Sequence, residues 1–437
     1  MSGRRSDVLT LVRSQAGRLE LRRRYSTRLW PAVAFVARAY RMTLGRRPRI
    51  VAVVGSVGKT TTMRTVSAAL GRPVSRAALL NANSRSAVGR QMLGIRPWDR
   101  HAVLEVAIDR PGQMLRQALT VRPNVVVVTA IASDHWQSFH TLEATTKEKA
   151  LIVHALPATG VAVLNADDPK VRSMAARTRA RVVFVGEAAD AEVRASEVEL
   201  DWPHGMRFVV HAGGRSWPVR TRLVGRHMVY PALAAIAVAH IEGLPIDGAI
   251  NAVESVSPTP GRMQTMALPS GAFVVRDEFK GTVDAWNAAM DAFAAIPANR
   301  HIVVFGEISE ESGSQEYRDI GRRAGGFADR AIFVANTKHA HQFRAGAVAG
   351  GLSRERIDVV RNAHEVIGLL RDDLQPGNVV LIRGRWQQAL GRVGLALAGR
   401  DVQCRADPCP FKRMLCDVCP FLEQEFYGLP GGATREV

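Results

Sequence analysis

Lysine is scarce in this chain. Of 59 basic residues among 437, only seven are lysines, Lys59, Lys147, Lys149, Lys170, Lys280, Lys338 and Lys412, so arginine carries the surface charge and each lysine is worth weighing singly. Cysteine is scarcer still: four residues, all between Cys404 and Cys419, which leaves everything before them without a disulfide framework. Long apolar runs are missing from the first 48 residues, where the longest, Leu29 to Ala37, has nine residues and contains Pro31. That is too short to span a bilayer. Arginines interrupt the same segment and no small-residue cleavage site follows an apolar core, so it lacks the order expected of a secretory signal. It holds few aromatics and no recognition module, which argues against nucleic-acid binding. Acidic residues are short as well, 40 against those 59 bases, for a net charge of +19. Residues 1–49 hold thirteen arginines and only Asp7 and Glu20 as acids, so +11 sits at this end and +8 is spread over the other 388 residues.

What is present is an ordinary globular composition, 47% hydrophobic and 23% charged, with length for two or three domains. Residues 1–48 read as a basic, partly amphipathic arm suited to an anionic membrane surface, a polyanion or an acidic substrate. A solvated helix packed on the first domain is the alternative. The protein is expected in the cytoplasm. From Ile50 onward, strand-like runs (Ile50 to Val54, Ala102 to Ala107, Asn124 to Ile131, Val161 to Asn165, Arg181 to Gly186) alternate with helical stretches, the rhythm of a mainly parallel sheet. Residues 192–224 read as short β segments and Val229 to Ala239 as a helix. "SPTPGRMQ", Ser257 to Gln264, reads as a linker, after which strands at Ala272 to Arg276, His301 to Phe305, Ala331 to Ala335 and Asn378 to Arg383 predict a second α/β unit. No internal repeat or low-complexity segment interrupts this plan.

The stretch "RIVAVVGSVGKTTTMRTVSAAL", Arg49 to Leu70, places a glycine turn between a buried strand and a helix. Backbone N–H groups, the helix dipole and Lys59 make an anion site of such a turn, and Thr60 offers a hydroxyl to Mg²⁺ on a bound triphosphate. The match is to a short form, G-x-x-G-K-T-T, since Val53 stands where the longer pattern has its first glycine. Further polar groups fall where parallel strands end. Glu105 lies inside an apolar strand, where an unpaired carboxylate is costly and metal coordination offsets that cost. Asp134 and His135 follow the next strand, and Asn165, Asp167 and Asp168 the one after. Each has a plain structural alternative taken singly, a salt bridge or a core histidine; jointly they point to one site.

In order and spacing, "GSVGKTTT", "NANSRSAVG", "LEVAIDRPGQM", "ASDHWQSF", "TLEATTKEKALI", "VAVLNADDP", "GRHMVYPALAAIAVA", "SPTPGRMQ" and "DEFKGTVDAWNAAM" resemble the Mur ligase family, nearest to its D-alanyl-D-alanine-adding members, over residues 49–400. These are ATP-dependent enzymes that join a carboxylate to an amine through an acyl phosphate and release ADP and phosphate. The resemblance implies an α/β fold: a central P-loop ATPase domain, 49–258, a dinucleotide-fold-like α/β domain, 259–403, and a cysteine-containing tail, 404–437. It implies that Gly55, Gly58, Lys59, Thr60 and Thr61 hold the phosphates of ATP, that Thr60 and Glu105 bind one Mg²⁺ and His135 a second, and that Lys149 matches a lysine carried by many members as a carbamate. A carbamate requires a depressed lysine pKa and gives an anion able to ligate Mg²⁺; the alternative is an exposed helical lysine beside Lys147. Asn165 and Asp168 match polar residues near the nucleotide, Arg262 a linker arginine that reaches the phosphates, Asp277 a ribose contact, and Lys280 a phosphate or acyl-phosphate contact. Closure of the second domain would complete the site and exclude water.

Met228 and Pro231 stand where the family usually shows asparagines, and only 48 residues precede Arg49, against a whole UDP-sugar-binding domain in the muramyl ligases. The acceptor is therefore expected to be an acidic cell-envelope, capsule or secondary-metabolite precursor rather than a UDP-muramyl peptide, with an amino acid or amine as donor. A polyglutamate-type polymerising ligase and a catalytically weak partner subunit are the alternatives, and a nucleic-acid-stimulated ATPase ranks last. In the tail, Cys404, Cys409, Cys416 and Cys419 follow C-x4-C-x6-C-x2-C, a compact soft-ligand set expected to hold Zn²⁺ or an iron–sulfur cluster, with free or redox thiols as the alternative.

Overall fold

The computed structural model of the chain describes residues 30–72, 85–133, 136–278, 281–308, 312–411 and 414–428. Runs of valine and isoleucine that no helix periodicity relieves become strands buried on both faces. The first sheet holds β1 (Arg49–Val54), β2 (His101–Glu105), β3 (Val125–Val128), β4 (Val161–Asn165), β5 (Arg181–Gly186), β6 (Val193–Asp201), β7 (Gly205–Ala212) and β8 (Arg215–Thr221). Their order is β2-β1-β3-β4-β5-β6-β7-β8, parallel through β6 and antiparallel in the two hairpins after it. In β1 every residue from Ile50 to Val54 is fully buried, because helices cover both faces. On one face lie α1 (Trp30–Met42), α3 (Arg85–Leu93), α4 (Met114–Val121) and α5 (Leu142–His154). On the other lie α2 (Lys59–Ala69), α6 (Val229–Ile241) and α7 (Ile246–Glu254).

Helix α1 ties residues 30–48 to this unit. Arg41 is buried on it, and its guanidinium donates to the carbonyls of Gly45, Pro48, Val121 and Arg122 and to Asn124 Oδ1. A charge with that many acceptors is a satisfied one.

The second sheet holds β9 (Gln264–Ala267), β10 (Phe273–Arg276), β11 (Arg300–Phe305), β12 (Arg330–Val334), β13 (Ile357–Val360) and β14 (Asn378–Arg383) in the order β13-β12-β11-β14-β10-β9. All pairs are parallel except β9 with β10. Helices α8 (Val283–Ala294), α9 (Ser314–Gly325) and α10 (Thr337–Ala349) pack on one side, α11 (Ala363–Leu370) and α12 (Gly391–Leu397) on the other. Neither β9 nor β13 is predicted from the sequence; both are four-residue edge strands, too short to show a period.

The two units share a core. Leu223, Val224 and Met228 pack with Met263, Trp286 and Phe293, and Trp202 meets Phe273 edge to face at 5.3 Å. Ser133, just past β3, donates from its N–H and its Oγ to Asp284 in the first turn of α8, both at 2.9 Å. No helix among the described residues is long and apolar enough to cross a membrane.

Candidate active site

Strand order in the first sheet reverses between β1 and β3, and open α/β sheets bind ligands in that crevice. The turn leaving β1 is built to enter it. Gly55 has φ +151°, and a Cβ there would lie 2.0 Å from Thr129 Oγ1. Gly58 has φ +78° and caps α2, which begins at Lys59 with no acid in its first turn. Glycine supplies both conformations, and a helix N-terminus aimed at the crevice favours an anion. The far wall is the start of the loop after β3: Ser56 N–H donates to Ala130 O at 2.7 Å and Thr129 Oγ1 to Val57 O at 2.6 Å.

Four predicted residues converge here. Lys59 is buried and folds back over its own turn, Nζ donating to the carbonyls of Gly55 at 2.7 Å and Ser56 at 2.9 Å. Thr60 Oγ1 donates to Glu105 Oε2 at 2.7 Å, so the hydroxyl at the start of α2 meets the buried carboxylate at the end of the adjacent β2. Lys149 is buried on α5, and Nζ donates to Ser56 Oγ at 2.8 Å. Lys147 instead points outward to an ion pair with Glu143 at 2.7 Å. Ser56 was not singled out in the sequence, yet it joins Lys149 to the turn and donates a hydrogen bond from its Oγ to Ala132 O at 3.0 Å. A small hydroxyl between two glycines was the available signal.

The donors fit a hard cation. Thr60 and Glu105 offer a hydroxyl and a carboxylate oxygen already side by side, the ligand type Mg²⁺ takes alongside phosphate. From the linker, Arg262 feels the same carboxylate: desolvation lowers its pKa from the ordinary arginine value, and the Glu105 charge opposes that. Arg64 on α2 donates to Thr259 Oγ1 at 2.7 Å, holding the linker against the helix that starts the site.

Other predicted residues are engaged in the frame. Asn165 is buried and accepts from Asp167 N–H at 3.0 Å. Asp168 accepts from Ile131 N–H at 2.8 Å and caps the short helix after β4, so it joins the loops behind β3 and β4. Asp277 pairs with buried Arg383 and accepts from Met263 N–H at 3.1 Å, which points its carboxylate into the second unit. Thr61 is buried inside α2. Met228 belongs to the shared core and Pro231 to the buried first turn of α6. Asp134, His135 and Lys280 lie outside the described residues.

The cysteine tail packs around an aromatic cluster. Among the described residues, no group of three or more His, Cys, Asp and Glu side chains is arranged to hold a metal, and the four cysteines are free of disulfides. The expected Zn²⁺ or iron–sulfur cluster thus gains no support from the described residues. The thiols serve as packing and hydrogen-bonding groups: Cys409 clusters with Ala389, Phe411 and Phe421, and Cys404 Sγ accepts from buried Arg392 at 3.2 Å. Burial pushes the Cys416 thiol up to about 12 and raises Cys409 and Cys419, keeping them neutral.

A glycine turn, a lysine and a hydroxyl opening a helix, with a carboxylate on the neighbouring strand, define a P-loop phosphoryl-transfer fold. The sequence pattern of the Mur ligase middle domain matches residues 53–239, and that of the Mur ligase glutamate ligase domain matches residues 261–386. The UDP-N-acetylmuramoyl-tripeptide–D-alanyl-D-alanine ligase of Mycobacterium tuberculosis (strain ATCC 25618 / H37Rv) is 31% identical over 377 residues, 80% of this chain and 73% of its own. The Escherichia coli (strain K12) enzyme of the same name is 28% identical over 307 residues, 68% of this chain and 67% of its own. A crystal structure of MurF from Acinetobacter baumannii superposes with a TM-score of 0.73 at 23% identity, covering 85% of this chain and 81% of that one. That of MurF ligase from Thermotoga maritima in complex with ADP superposes at 0.71 and 20% identity, covering 84% and 83%. The chain belongs to the Mur ligase family, whose members are ATP-dependent, ADP-forming acid–amine ligases.

One functional expectation falls with this. The acceptor was set apart from UDP-muramyl peptides on the length of the segment before Arg49, whereas relatives sharing 80% of this chain are named for a UDP-N-acetylmuramoyl tripeptide. The physical fault lies in the premise: the length of the segment before Arg49 says nothing about which acceptor the crevice between β1 and β3 serves.

Proposed function

We propose that this protein is an ADP-forming ligase that extends a UDP-linked muramyl tripeptide by D-alanyl-D-alanine. The observation that carries the reading is the convergence of Lys59, Thr60, Glu105, Lys149 and Ser56 at one switch point. A carboxylate is a poor electrophile. Transfer of the γ-phosphoryl group of ATP onto it gives an acyl phosphate and ADP; the amine then attacks the acyl carbon, and phosphate departs with the pair of the broken C–O bond. Such transfer needs charge neutralised and reactants aligned more than covalent help.

In this reading the turn from Gly55 to Gly58 and the start of α2, Lys59 to Thr61, hold the phosphates, and Lys59 leaves its own carbonyls to meet them. Magnesium on the Thr60 and Glu105 oxygens, with a second ion on His135, would supply charge neutralisation. In the carbamate form that the resemblance implies, Lys149 would add an anionic oxygen donor. Arg262 serves the phosphates from the linker, Asn165 and Asp168 order the loops beside the nucleotide, and the resemblance implies contacts to it from Lys280 and, once released from Arg383, from Asp277 in the second unit. The enzyme works where ATP is supplied, in the cytoplasm. The test incubates the protein with ATP, Mg²⁺, UDP-N-acetylmuramoyl-tripeptide and D-alanyl-D-alanine. Equimolar ADP and phosphate that require both substrates, with a product heavier by one dipeptide less water, support the reading. AMP and pyrophosphate, or phosphate release indifferent to the amine, sink it.

A further inference from the structure

Of the twelve large apolar side chains that stand exposed among the described residues, eight lie between Phe35 and Leu119. They belong to one layer, α1 packed on α3 and α4 with the loop before β2. Helices α1 and α4 each bury one apolar stripe and turn another outward, and α3 adds Leu93 at its end. On α1, Ala37 and Arg41 face the core while Phe35, at 76% exposure, and Val36 face solvent. On α4, Met114, Ala118 and Val121 are buried while Leu115 and Leu119, one turn apart, are exposed. Leu44 and Trp98, at 67% and 76%, continue the outward set into the loops. A soluble surface scatters such residues; grouping them marks a contact face.

The charge of the layer says what the contact is. Residues 30–49, 85–100 and 114–124 contain eleven arginines and one carboxylate, Asp99, which is paired with Arg72 at 2.6 Å. Arg38, Arg46, Arg47, Arg100, Arg116 and Arg122 are exposed around the apolar residues. Arginine rimming tryptophan, phenylalanine and leucine on a helical layer is the chemistry of an anionic lipid interface: rings enter at headgroup depth, and guanidinium groups meet phosphate. The placement is compatible with catalysis. Arg46 and Arg47 precede β1, Trp98 and Arg100 precede β2 and Arg122 precedes β3, whereas the phosphate turn leaves β1 at its other end, a strand length of about 20 Å away.

We propose that this face, the amino edge of the first sheet with α1, α3 and α4, docks the enzyme on an anionic phospholipid surface, with the ATP crevice turned away from the lipid. The proposal is independent of which acceptor is ligated. It is tested by sedimenting the full chain with vesicles of phosphatidylglycerol and phosphatidylcholine, or of phosphatidylcholine alone, at low and high salt. Binding is expected to the anionic vesicles only, weakened by salt, with a blue shift in tryptophan emission that Trp98→Phe reduces. Phe35→Ser with Trp98→Ser should weaken binding at least about tenfold, by the apolar area withdrawn from lipid. Arg46→Gln and Arg47→Gln should each cost about fivefold. ADP formation and the melting temperature should stay unchanged in all four. No binding to anionic vesicles overturns the proposal, as does binding that survives every substitution, which would place the contact in residues 1–29. A dimer dispersed by Trp98→Ser, with no lipid binding, overturns it in favour of a second copy of the chain.

Discussion

The two sheets each reverse their strand order once, between β1 and β3 and between β11 and β14, and the two crevices are finished in different ways. At the first, helix α2 starts five residues after β1 ends, so its N-terminus and Lys59 stand at the crevice. At the second, α9 starts nine residues after β11 ends, and side chains close the space instead. Glu307 pairs with Arg385 at 3.0 Å, and Gln388 Oε1 accepts from Glu307 N–H at 2.7 Å while its Nε2 donates to Val334 O at 2.7 Å. Glycine is needed at both, for opposite reasons. Gly55 lets the backbone swing outward past Thr129, whereas a Cβ at Gly306 would sit 2.2 Å from Gln388 Oε1, so that glycine lets a side chain in. The same topology makes an anion cradle in one unit and an internally neutralised edge in the other. A parallel sheet supplies the place, and a short strand-to-helix turn with a cation supplies the phosphate site.

If that contrast is sound, substitutions at the first crevice should show in turnover and those at the second in stability. The largest effect is expected for Lys59→Ala. Loss of the cation at the transferring phosphoryl group should lower kcat by about 10³-fold, in the range of a preorganised charge-stabilising donor, and leave the melting temperature nearly unchanged. A fall in stability that accounts for the lost turnover would erase the contrast.

Next comes Arg276→Met, at the end of β10. Arg276 is fully buried and bridges Glu278 and Asp417, fastening the cysteine-containing tail to the second sheet. Burial works against its charge, but the two carboxylates more than offset this and raise its pKa. Removing it leaves Glu278 and Asp417 without their counter-charge, at a cost of about 3–5 kcal/mol in unfolding free energy by denaturant titration. Per-molecule turnover of the remaining folded enzyme should hold.

The seam between the units gives a pH test. Burial, with the nearby positive charge of Arg383, lowers His227 from 6.5 to about 4. The unfolded chain therefore takes up this proton first. Stability from the neutral ring is complete above about pH 6.5 and is lost as pH falls towards 4, by up to about 3 kcal/mol. His227→Gln should flatten the melting temperature over that window. An unchanged profile in the variant would show that His227 does not report on the seam.

The legible parts of this fold were those where one segment fixes its own environment. Ile50 to Val54 can only be a strand covered on both faces, and G-x-x-G-K-T-T can only be satisfied by a turn into a helix. Glu105 was readable because a carboxylate inside an apolar strand demands a partner, and Thr60 Oγ1 is that partner. Arg41 was not readable: an arginine saturated by carbonyls looks in sequence like any surface arginine. Ser56 and Thr129 were missed because their roles come from loops brought together by β1 and β3, not from neighbours in the chain. The setting of the cysteines was not readable for a related reason. Spacing suited to metal ligands is also the spacing of small buried residues between Phe411, Phe421 and Phe426.

The smallest expected effect sharpens the comparison most. Glu307→Gln keeps shape and hydrogen-bonding capacity but removes the charge that neutralises Arg385 at the second crevice. Were this crevice a hidden phosphate site, releasing Arg385 would draw nucleotide to it and tighten ATP binding. If the first crevice alone holds the phosphates, ATP affinity by titration calorimetry should stay within about twofold, since a partly exposed ion pair is worth at most about 1 kcal/mol. The pair's carboxylate and guanidinium are each 19% exposed, open enough for water to replace the lost partner. A second, weaker nucleotide-binding event in the variant would mean that the ion pair itself, and not the distance to α9, keeps the second sheet from binding nucleotide.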